Sequence, residues 1–448
     1  MKDPRIILGI AADCWKSTWD NYKKWRCIVM SFRKKQTLWL ALLAGAFILV
    51  LAGCGGGSSS PATPSKSPAG AQTEPASPGG TTGQSAPATS ETSEYKIGVI
   101  NSLTGDKAAG GKSQQAGYKA ALEVLGNEID GHPVKLVEID DQSSPDLAAR
   151  AAEDLALQGV PVIIGPTFTP TAYAAEAVAE RVGVPMISTS GGYEPSQGVK
   201  WSWAPTPHLE MQAIKYFEYA KAHGATKVAT ITSTDSLGDL MEGLFTKYFG
   251  QNPDIKQTAR IRIGAKDIDY TPQLIKLKGD KPDLIFTMVA GQAVYQVRKQ
   301  LNQVGLENVP MIISIGNTHN EMKRMMAEYK PGTALVLSPK FVVAGQLPNN
   351  DPQKNFYERI YSILHDSTKT DPEGLAMYGF DTMMVAAEAL KAAGPDRAKI
   401  NEWLEGAHEV VGVGGTIKLT KEDRIGVHVP DAVIMLLIDD KGQWAIAK

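Results

Sequence analysis

The sequence predicts an α/β protein of two doubly wound, Rossmann-like lobes. Two observations lead to this class. Short apolar runs typical of buried parallel strands alternate with helical segments along most of the chain. The order of elements also repeats, because the run from Val184 to Ser188 (VPMIS) returns as the run from Val309 to Ser314 (VPMIIS). Two similar series of strand and helix indicate two similar lobes.

The first series begins with a strand over Tyr95–Ser102, and a helix is predicted from about Ser113 to Leu125. A second strand follows over Val134–Ile139, and the next helix starts near Pro145. Gly117 in the first helix is small enough to let that helix pack closely on a sheet. The pair Asp140-Asp141 is interpreted as polar loop residues that also cap the following helix. The alternative is an acid/base or metal site.

The second series has predicted strands over Thr226–Ile231 and Pro282–Val289, with helices over Leu240–Phe249 and Ala293–Val304. The segment Thr232–Gly238 is predicted as a polar loop. Later strands and helices must be shared between the lobes. The predicted lobes are residues 95–206 with 338–428, and residues 207–337 with 429–448.

The stretch Val160–Gly192 contains the candidate ligand site. Two predicted strands, Val160–Ile164 and Val184–Ile187, each end in a loop of small and hydroxylated residues. Ligands of open α/β sheets bind beyond the carboxyl ends of the strands. Thr169 before Pro170 is predicted as the N-cap of a helix whose free N–H groups suit a carboxylate. The alternative is that Thr169 only caps and Gly191-Gly192 only turns the chain.

The N-terminal region has the pattern of a secretory signal over residues 30–53. A basic segment, Ser31–Gln36, precedes a short apolar run, Thr37–Val50. The last residues, Leu51-Ala52-Gly53-Cys54, resemble the lipobox of bacterial lipoproteins, which implies a membrane anchor through a lipid on Cys54. An uncleaved helical anchor is the alternative. Met30 stands at the start of this pattern, so residues 1–29 are hypothesised to be an untranslated extension.

Cysteine use and charge narrow the function classes. Of the three cysteines, Cys14 and Cys27 precede the predicted cleavage point, so the mature chain has no disulfide. Residues 54–448 carry 37 basic and 45 acidic side chains, a formal charge near −8. A nucleic-acid partner is not expected for such a chain.

A tether is predicted over residues 54–94, behind the lipidated cysteine. Of the forty residues from Gly55 to Glu94, 34 are Gly, Ser, Thr, Pro or Ala. Such a composition buries too little apolar surface to fold. A flexible coil of this length spans about 35 Å root-mean-square, which places the folded part clear of the membrane.

The region from Tyr95 to about Ile438 resembles the extracytoplasmic binding proteins of branched-chain amino acid ABC transporters. The resemblance rests on the order and spacing of five short motifs: Ile97–Gly105, Ile139–Asp141, Val162–Pro166, Val184–Ser188 and Tyr378–Asp381. It implies the type I periplasmic binding protein fold, with three crossover segments and a small ligand between closing lobes. It also implies a monomer that delivers the ligand to the transmembrane subunits of an ABC permease, on the outer face of the bacterial cell membrane.

By position in the family, Thr169 matches the hydroxyl that holds a ligand carboxylate. Ser190 and Gly192 match the loop that meets the carboxylate and the amino group. Leu237 and Ala290 fall where amino acid binders often carry aromatic residues, and Asn317 falls where they often carry the acid that pairs with an ammonium. The predicted ligand-binding residues are Phe168, Thr169, Ser188, Ser190, Gly191, Gly192, Asp235, Leu237, Ala290, Gly291 and Asn317.

Asn317 raises a question about the ligand, because an unpaired ammonium is costly to bury and an asparagine offers only its amide oxygen. Either Asp235 or Asp106 supplies the countercharge, or the ligand has no ammonium group. Four aromatic residues near the predicted cleft are candidates for stacking on a flat ligand, with core packing as the alternative: Phe168, Tyr193, Trp201 and Trp203.

No enzyme motif is found: G-x-S-x-G, G-x-x-x-x-G-K-[ST] and H-E-x-x-H are all missing from the sequence. Four histidines, His208, His223, His319 and His365, are interpreted as surface residues. We therefore expect no catalytic residue, no metal and no cofactor. The alternatives to an importer subunit are a tethered sensor domain, or a binder of an amide, a urea or an aromatic acid.

Overall fold

The computed structural model describes residues 93–264, 267–289, 291–427 and 432–447, all of them in one compact unit, Thr92–Lys448. The predicted signal peptide, Cys54 and all but the last two residues of the predicted tether lie outside the described residues. So does Ala290. None of the described helices is both long and apolar enough to span a bilayer.

The first lobe is built on a six-stranded sheet in the order β2-β3-β1-β4-β5-β6. Its strands are β1 (Tyr95–Asn101), β2 (Glu128–Ile129), β3 (His132–Asp140), β4 (Ile163–Ile164), β5 (Met186–Ile187) and β6 (Ser202–Trp203). All pairings are parallel except β2 with β3. The helices α1 (Ala108–Val124), α2 (Pro145–Leu157) and α3 (Thr169–Val182) connect these strands.

The second lobe is built on a seven-stranded sheet in the order β15-β14-β11-β10-β9-β7-β8. Its strands are β7 (Lys227–Ser233), β8 (Lys256–Ile263), β9 (Leu284–Met288), β10 (Met311–Ile313), β11 (Ala334–Pro339), β14 (Val433–Ile438) and β15 (Trp444–Ile446). Its helices are α4 (Leu209–Ala222), α5 (Ser236–Gln251), α6 (Thr271–Asp280), α7 (Gln292–Gln303) and α8 (Asn320–Met326). Strand β14 runs antiparallel to β11, and β15 runs antiparallel to β14.

The remaining elements are α9 (Lys354–Thr368), α10 (Ala376–Ala393), α11 (Arg397–Glu405) and the hairpin of β12 (Gly406–Gly412) and β13 (Gly415–Thr420). The chain passes between the lobes three times: after β6, after β11 and before β14. The predicted boundary at residue 338 lies inside β11, whose Pro339 still pairs with Val433 of the second sheet.

Small residues bring the two central helices of the first lobe into backbone contact. A Cβ on Gly117 would stand 1.9 Å from the Ala376 carbonyl oxygen, and a Cβ on Gly379 would stand 2.1 Å from the Gln114 carbonyl oxygen. Gly117 therefore permits close packing of α1 on helix α10, rather than on the sheet as the sequence analysis expected. This packing places the start of α10 beside the loops that follow β4 and β5.

Two apolar layers cover the first sheet. Alanines of α2 and α3 pack with Ile100, Val160 and Ile163 on one face. Tyr118, Ala120 and Ala121 of α1 belong to the larger cluster, which continues through α10 into the second lobe. At about 25 cal/mol per Å² of apolar surface, burial of this extent supplies the stability of a chain that has no disulfide in its folded part.

Candidate ligand-binding site

The hydroxyl groups of Thr169 and Ser190 meet at 3.1 Å. Both residues are only 2% exposed. They come together because β4 and β5 are neighbouring parallel strands, so the loops after them open at the same edge of the sheet. The two loops that the sequence analysis placed side by side therefore do meet in the structure.

The helix α3 begins one residue earlier than predicted, with Phe168 as its N-cap and Thr169 as its first residue. The Thr171 hydroxyl donates to the Phe168 carbonyl at 2.8 Å and completes the first turn. The Thr169 side chain is thus not used for capping. Its hydroxyl lies at the positive end of a fourteen-residue helix, where an anion is stabilised.

Residues behind the site hold the Ser190 loop in place. The Ser188 hydroxyl donates to the Pro166 carbonyl at 3.2 Å and accepts the Ser190 N–H at 3.1 Å. The Gln114 amide donates to the Thr189 carbonyl at 2.9 Å, and the Thr206 hydroxyl donates to the Ser190 carbonyl at 3.1 Å. Ser188 therefore supports Ser190 from inside the lobe.

Tyr378 is a site residue that the sequence analysis used only as a family motif. Its hydroxyl would stand 2.6 Å from a Cβ placed on Gly191, so glycine is required there for space. The Tyr378 hydroxyl is buried and has no hydrogen-bond partner. Burial raises its pKa, so the group stays a neutral donor. A ligand oxygen next to Ser190 would satisfy this donor.

The second lobe contributes Leu237 from the first turn of α5. This helix starts at Ser236, earlier than predicted, because the Asp235 side chain accepts the Gly238 N–H at 3.1 Å as an N-cap. A Cβ on Gly192 would stand 2.4 Å from Leu237 Cδ1 and 2.7 Å from Thr169 Oγ1. Leu237 thus reaches across the cleft and touches the Gly192 turn.

Asn317 is fully buried at the end of a 3-10 turn, Ile315–Asn317, that follows β10. Its Nδ2 donates to the Val289 carbonyl and to the Ser314 hydroxyl, each at 3.0 Å. Its Oδ1 is buried without a partner. The side chain is therefore fixed by its donors and leaves one acceptor unused.

Lys107 is a second site residue that sequence reasoning missed. Its Nζ lies 4.0 Å from Asp235 Oδ2 across the cleft and 5.2 Å from the centre of the Phe168 ring. Gly291 of the second lobe also meets this loop, because its Cβ position is 3.0 Å from the Asp106 carbonyl oxygen. The position of Lys107, directly after the glycine-containing turn that follows β1, is the signal that could have identified it.

Three of the four candidate aromatic residues pack away from the cleft. Trp203 is fully buried, with its Nε1 donating to Asn401 Oδ1 at 3.0 Å. The Tyr193 hydroxyl donates to buried Glu176, and the Trp201 ring packs against Gly183. Phe168 alone of the four lies at the cleft, beside Lys107.

His319 corrects the prediction of surface histidines. It is buried, caps α8 by accepting the Met322 N–H at 3.1 Å, and its burial lowers its pKa to about 4. Asp140 and Asp141 hold the loop after β1: Asp140 accepts the N–H groups of Leu103 and Thr104, and Asp141 accepts the Ser102 hydroxyl. Within the described ranges, no cluster of three His, Cys, Asp or Glu side chains could hold a metal.

Two lobes that meet over a hydroxyl pair at a helix start define a two-lobed binding protein. The sequence profile of the periplasmic binding protein family matches residues 94–435, and the chain belongs to this family. It falls within the Leu/Ile/Val-binding branch, which consists of solute-binding proteins rather than enzymes.

A curated relative supports this assignment, and solved structures share the fold. A Leu/Ile/Val-binding protein homolog 6 from Brucella suis is 33% identical over 342 residues, which cover 73% of this chain and 84% of the relative. An extracellular ligand-binding receptor from Rhodopseudomonas palustris HaA2 has a TM-score of 0.72 at 23% identity over 79% of this chain and all of its own.

Two further structures share the fold and carry ligands. The substrate binding protein LivJ from Streptococcus pneumoniae, in complex with isoleucine, has a TM-score of 0.67 at 21% identity and matches 79% of this chain and 99% of its own. A solute binding protein from Rhodopseudomonas palustris BisB5, in complex with 3,4-dihydroxybenzoic acid, has a TM-score of 0.63 at 21% identity and matches 77% and 93%.

We expect Thr169→Val combined with Ser190→Ala to weaken ligand binding at least tenfold, because each hydroxyl is a buried donor whose hydrogen bond to a charged group contributes about 1.5–3 kcal/mol. The probe is the best compound from a thermal-shift screen of amino acids, amides, ureas and aromatic acids, and the measurement is calorimetry. Thr258→Val, on edge strand β8, is the matched control. Wild-type affinity in the double variant would remove these residues from the site.

Proposed function

We propose that the protein is the extracytoplasmic solute-binding subunit of an ABC importer, which captures an amino acid or a related small carboxylate or amide between its two lobes. The observation that carries this proposal is the Thr169–Ser190 hydroxyl pair, 3.1 Å apart, at the start of α3 and facing Leu237 of the other lobe. Membership in a family of solute-binding proteins supports it.

Binding by closure fits the contacts between the lobes. Leu237 contacts Gly192, Gly291 contacts Asp106, and Lys107 lies near Asp235. Each of these contacts joins the two lobes, so it forms only when the cleft is closed. A ligand that contacts both walls binds the closed form better than the open one. That difference in affinity is sufficient to shift the population toward the form that docks on the permease.

The chemistry of the near wall favours an acidic or amide head group. Thr169, Ser190 and Tyr378 offer hydroxyl donors, and the start of α3 adds a partial positive charge. Isoleucine and 3,4-dihydroxybenzoic acid, the ligands of two structures with this fold, both carry a carboxylate. These two classes, amino acids and aromatic acids, are the first candidates for this protein.

Anchoring at the membrane is part of the proposal. The signal-like segment and the lipobox-like Leu51–Cys54 support lipidation of Cys54, and the low-complexity segment behind it supports a flexible tether. A tethered binding protein stays near its permease, which raises the local concentration of the loaded form.

We expect Cys54→Ala to release the protein from the membrane fraction and to reduce uptake of the screened ligand by intact cells at least tenfold. Ser60→Ala, in the predicted tether behind Cys54, is the control and should behave as wild type. Mass spectrometry of the wild-type protein should find a lipid on an N-terminal Cys54. Ligand binding by the purified protein without any effect of its deletion on uptake would favour a sensor domain instead.

A further inference from the structure

Of the two acids that sequence reasoning offered as countercharges, one is already paired and the other is exposed to solvent. The Asp235 carboxylate accepts the Ser233 hydroxyl and the Gly238 N–H, and its other oxygen faces Lys107 at 4.0 Å. Asp106, the other acid that sequence reasoning offered as a countercharge, is exposed to solvent. Asp235 is therefore already paired, and a contact between Asp106 and a positive ligand group would stay exposed to solvent.

Lys107 places a cation beside Asp235, between the two lobes. Its side chain is 12% exposed and lies between Asp235 and the Phe168 ring. A ligand ammonium in this part of the cleft would be repelled by Lys107 and would have to compete with it for Asp235. Partly buried like charges are screened little by salt, so this repulsion persists at physiological ionic strength.

Two buried polar atoms, one in each lobe, have no hydrogen-bond partner in the part of the chain that the structure describes. The Tyr378 hydroxyl, beside Gly191, is a donor in need of an acceptor. Asn317 Oδ1 is an acceptor in need of a donor, since both Nδ2 donations are made within the second lobe. Buried polar groups are rarely left unpaired, so these two atoms indicate what the ligand offers.

We infer that the ligand is a carboxylate that also carries an uncharged hydrogen-bond donor, either a hydroxyl or an amide N–H, in place of an ammonium. This donor faces Asn317 in the bound state. The inference rests on the proposed function and specifies its substrate class. The carboxylate accepts from Thr169, Ser190 and Tyr378, and the neutral donor meets Asn317 Oδ1. The Lys107–Asp235 pair selects against the amino acid of the same shape.

Two further acids among the described residues come near this region and do not serve as countercharges. Glu373 accepts the Asn320 N–H at 2.9 Å, and burial raises its pKa toward the neutral form. Asp141 is held beneath the loop after β1 by the Ser102 hydroxyl at 2.6 Å and the Ser143 N–H at 2.9 Å, and burial raises its pKa as well. Both carboxyl groups already accept hydrogen bonds from the protein, so an ammonium would have to compete with those donors.

The test compares acids that differ only in the group on the α-carbon. Calorimetry on the full-length protein would measure leucine against 2-hydroxy-4-methylpentanoate, valine against 2-hydroxy-3-methylbutanoate, and phenylalanine against 3-phenyllactate. We expect the hydroxy acid to bind at least tenfold more tightly than its amino acid. Lys107→Gln frees Asp235 and should shift this preference at least tenfold toward the amino acid, whereas Lys112→Gln, an exposed lysine of α1, should leave it unchanged.

Each other outcome has a definite meaning. Tighter binding of the amino acids by the wild type would overturn the inference and leave the proposed function standing. Amino acid binding that Glu373→Gln abolishes would overturn it by assigning the countercharge to Glu373. An unchanged preference in Lys107→Gln would overturn the role of the Lys107–Asp235 pair. Failure of these pairs, and of aromatic acids and amides, to bind at all would remove the proposed ligand class as well.

Discussion

Gly192→Ala should weaken ligand binding about 10- to 100-fold and should prevent the lobes from closing. The added Cβ would stand 2.4 Å from Leu237 Cδ1 and 2.7 Å from Thr169 Oγ1, and both distances are shorter than such contacts allow. Overpacking at a tight contact costs about 1–3 kcal/mol, and each 1.4 kcal/mol is a factor of ten in affinity. Because Leu237 belongs to the other lobe, much of the strain arises only on closure.

Calorimetry and solution scattering with the screened ligand would measure this effect. The wild type should show a smaller radius of gyration when loaded, and Gly192→Ala should keep the larger radius at the same ligand concentration. Adding Leu237→Ala should restore part of the affinity, because it removes the closer of the two contacts. Gly243→Ala is the matched control, since nothing lies within 4 Å of a Cβ at that position of α5. Equal affinity of Gly192→Ala and wild type would show that the lobes do not meet here in the bound state.

The parts of the fold that local sequence determines could be predicted. Alternation of apolar strands with helices and the repeated Val-Pro-Met pattern indicated two doubly wound lobes, and the structure has them. The meeting of Thr169 with Ser190 followed from strand order alone, because their strands are consecutive, parallel and adjacent. Local pattern and sheet topology agreed there, so no tertiary information was needed.

Other site features depend on contacts between distant segments. Tyr378 is nearly two hundred residues from Gly191 in sequence, and only the packing of α10 on α1 brings its hydroxyl to that turn. Lys107 reaches Asp235 through a long side chain whose direction no sequence pattern records. The early start of α5 was different, because Asp235 three residues before Gly238 is an N-cap signal that could have been used.

The residues around the site also divide into those that could bind the ligand and those that hold other site residues in position. The hydrogen bonds of Ser188 and Gln114 lie inside the first lobe, so these residues fix the Ser190 loop whether or not a ligand is present. Thr169, Tyr378 and Asn317 instead retain buried groups that face the cleft or lack partners. Removing only the unpaired group, as in Tyr378→Phe, should therefore reduce affinity more than stability, whereas substitutions of Ser188 or Gln114 should reduce both.

Asp381 should make the protein less stable as the pH rises from about 4 to about 7. It is buried in α10, three residues after Tyr378, and burial raises its pKa to about 7, although the N–H groups of Val413 and Gly414 donate to it. In the unfolded chain an aspartate titrates near 3.9. Between these values the folded state keeps a proton that the unfolded state releases, so the free energy of unfolding falls with rising pH and levels off above about 7.

The expected size is about 4 kcal/mol, since three pKa units at about 1.4 kcal/mol each separate the two states. Asp381→Asn cannot ionise, so its free energy of unfolding in urea should lack this fall while the variant still folds. Asp283→Asn is a control, because the contribution of Asp283 to the free energy of unfolding should change with pH in the opposite direction. Asp283 is exposed and accepts the N–H groups of Thr226 and Lys227, which lowers its pKa, so its contribution is lost as the pH falls.

The location of Asp381 connects this titration to the hinge. Gly414 lies between the Asp381 carboxylate and Pro207, where the chain first crosses between the lobes. Because the donors to Asp381 are the N–H groups of Val413 and Gly414, its ionisation in this buried position weakens the helix that positions Tyr378 and the hairpin turn that packs on the crossover. The contrary result would be free energies of unfolding that change in parallel with pH in wild type and Asp381→Asn. The Asp381 carboxyl group would then be ionised in the folded protein and stabilised by its hydrogen bonds, and it would not cause a pH dependence of stability.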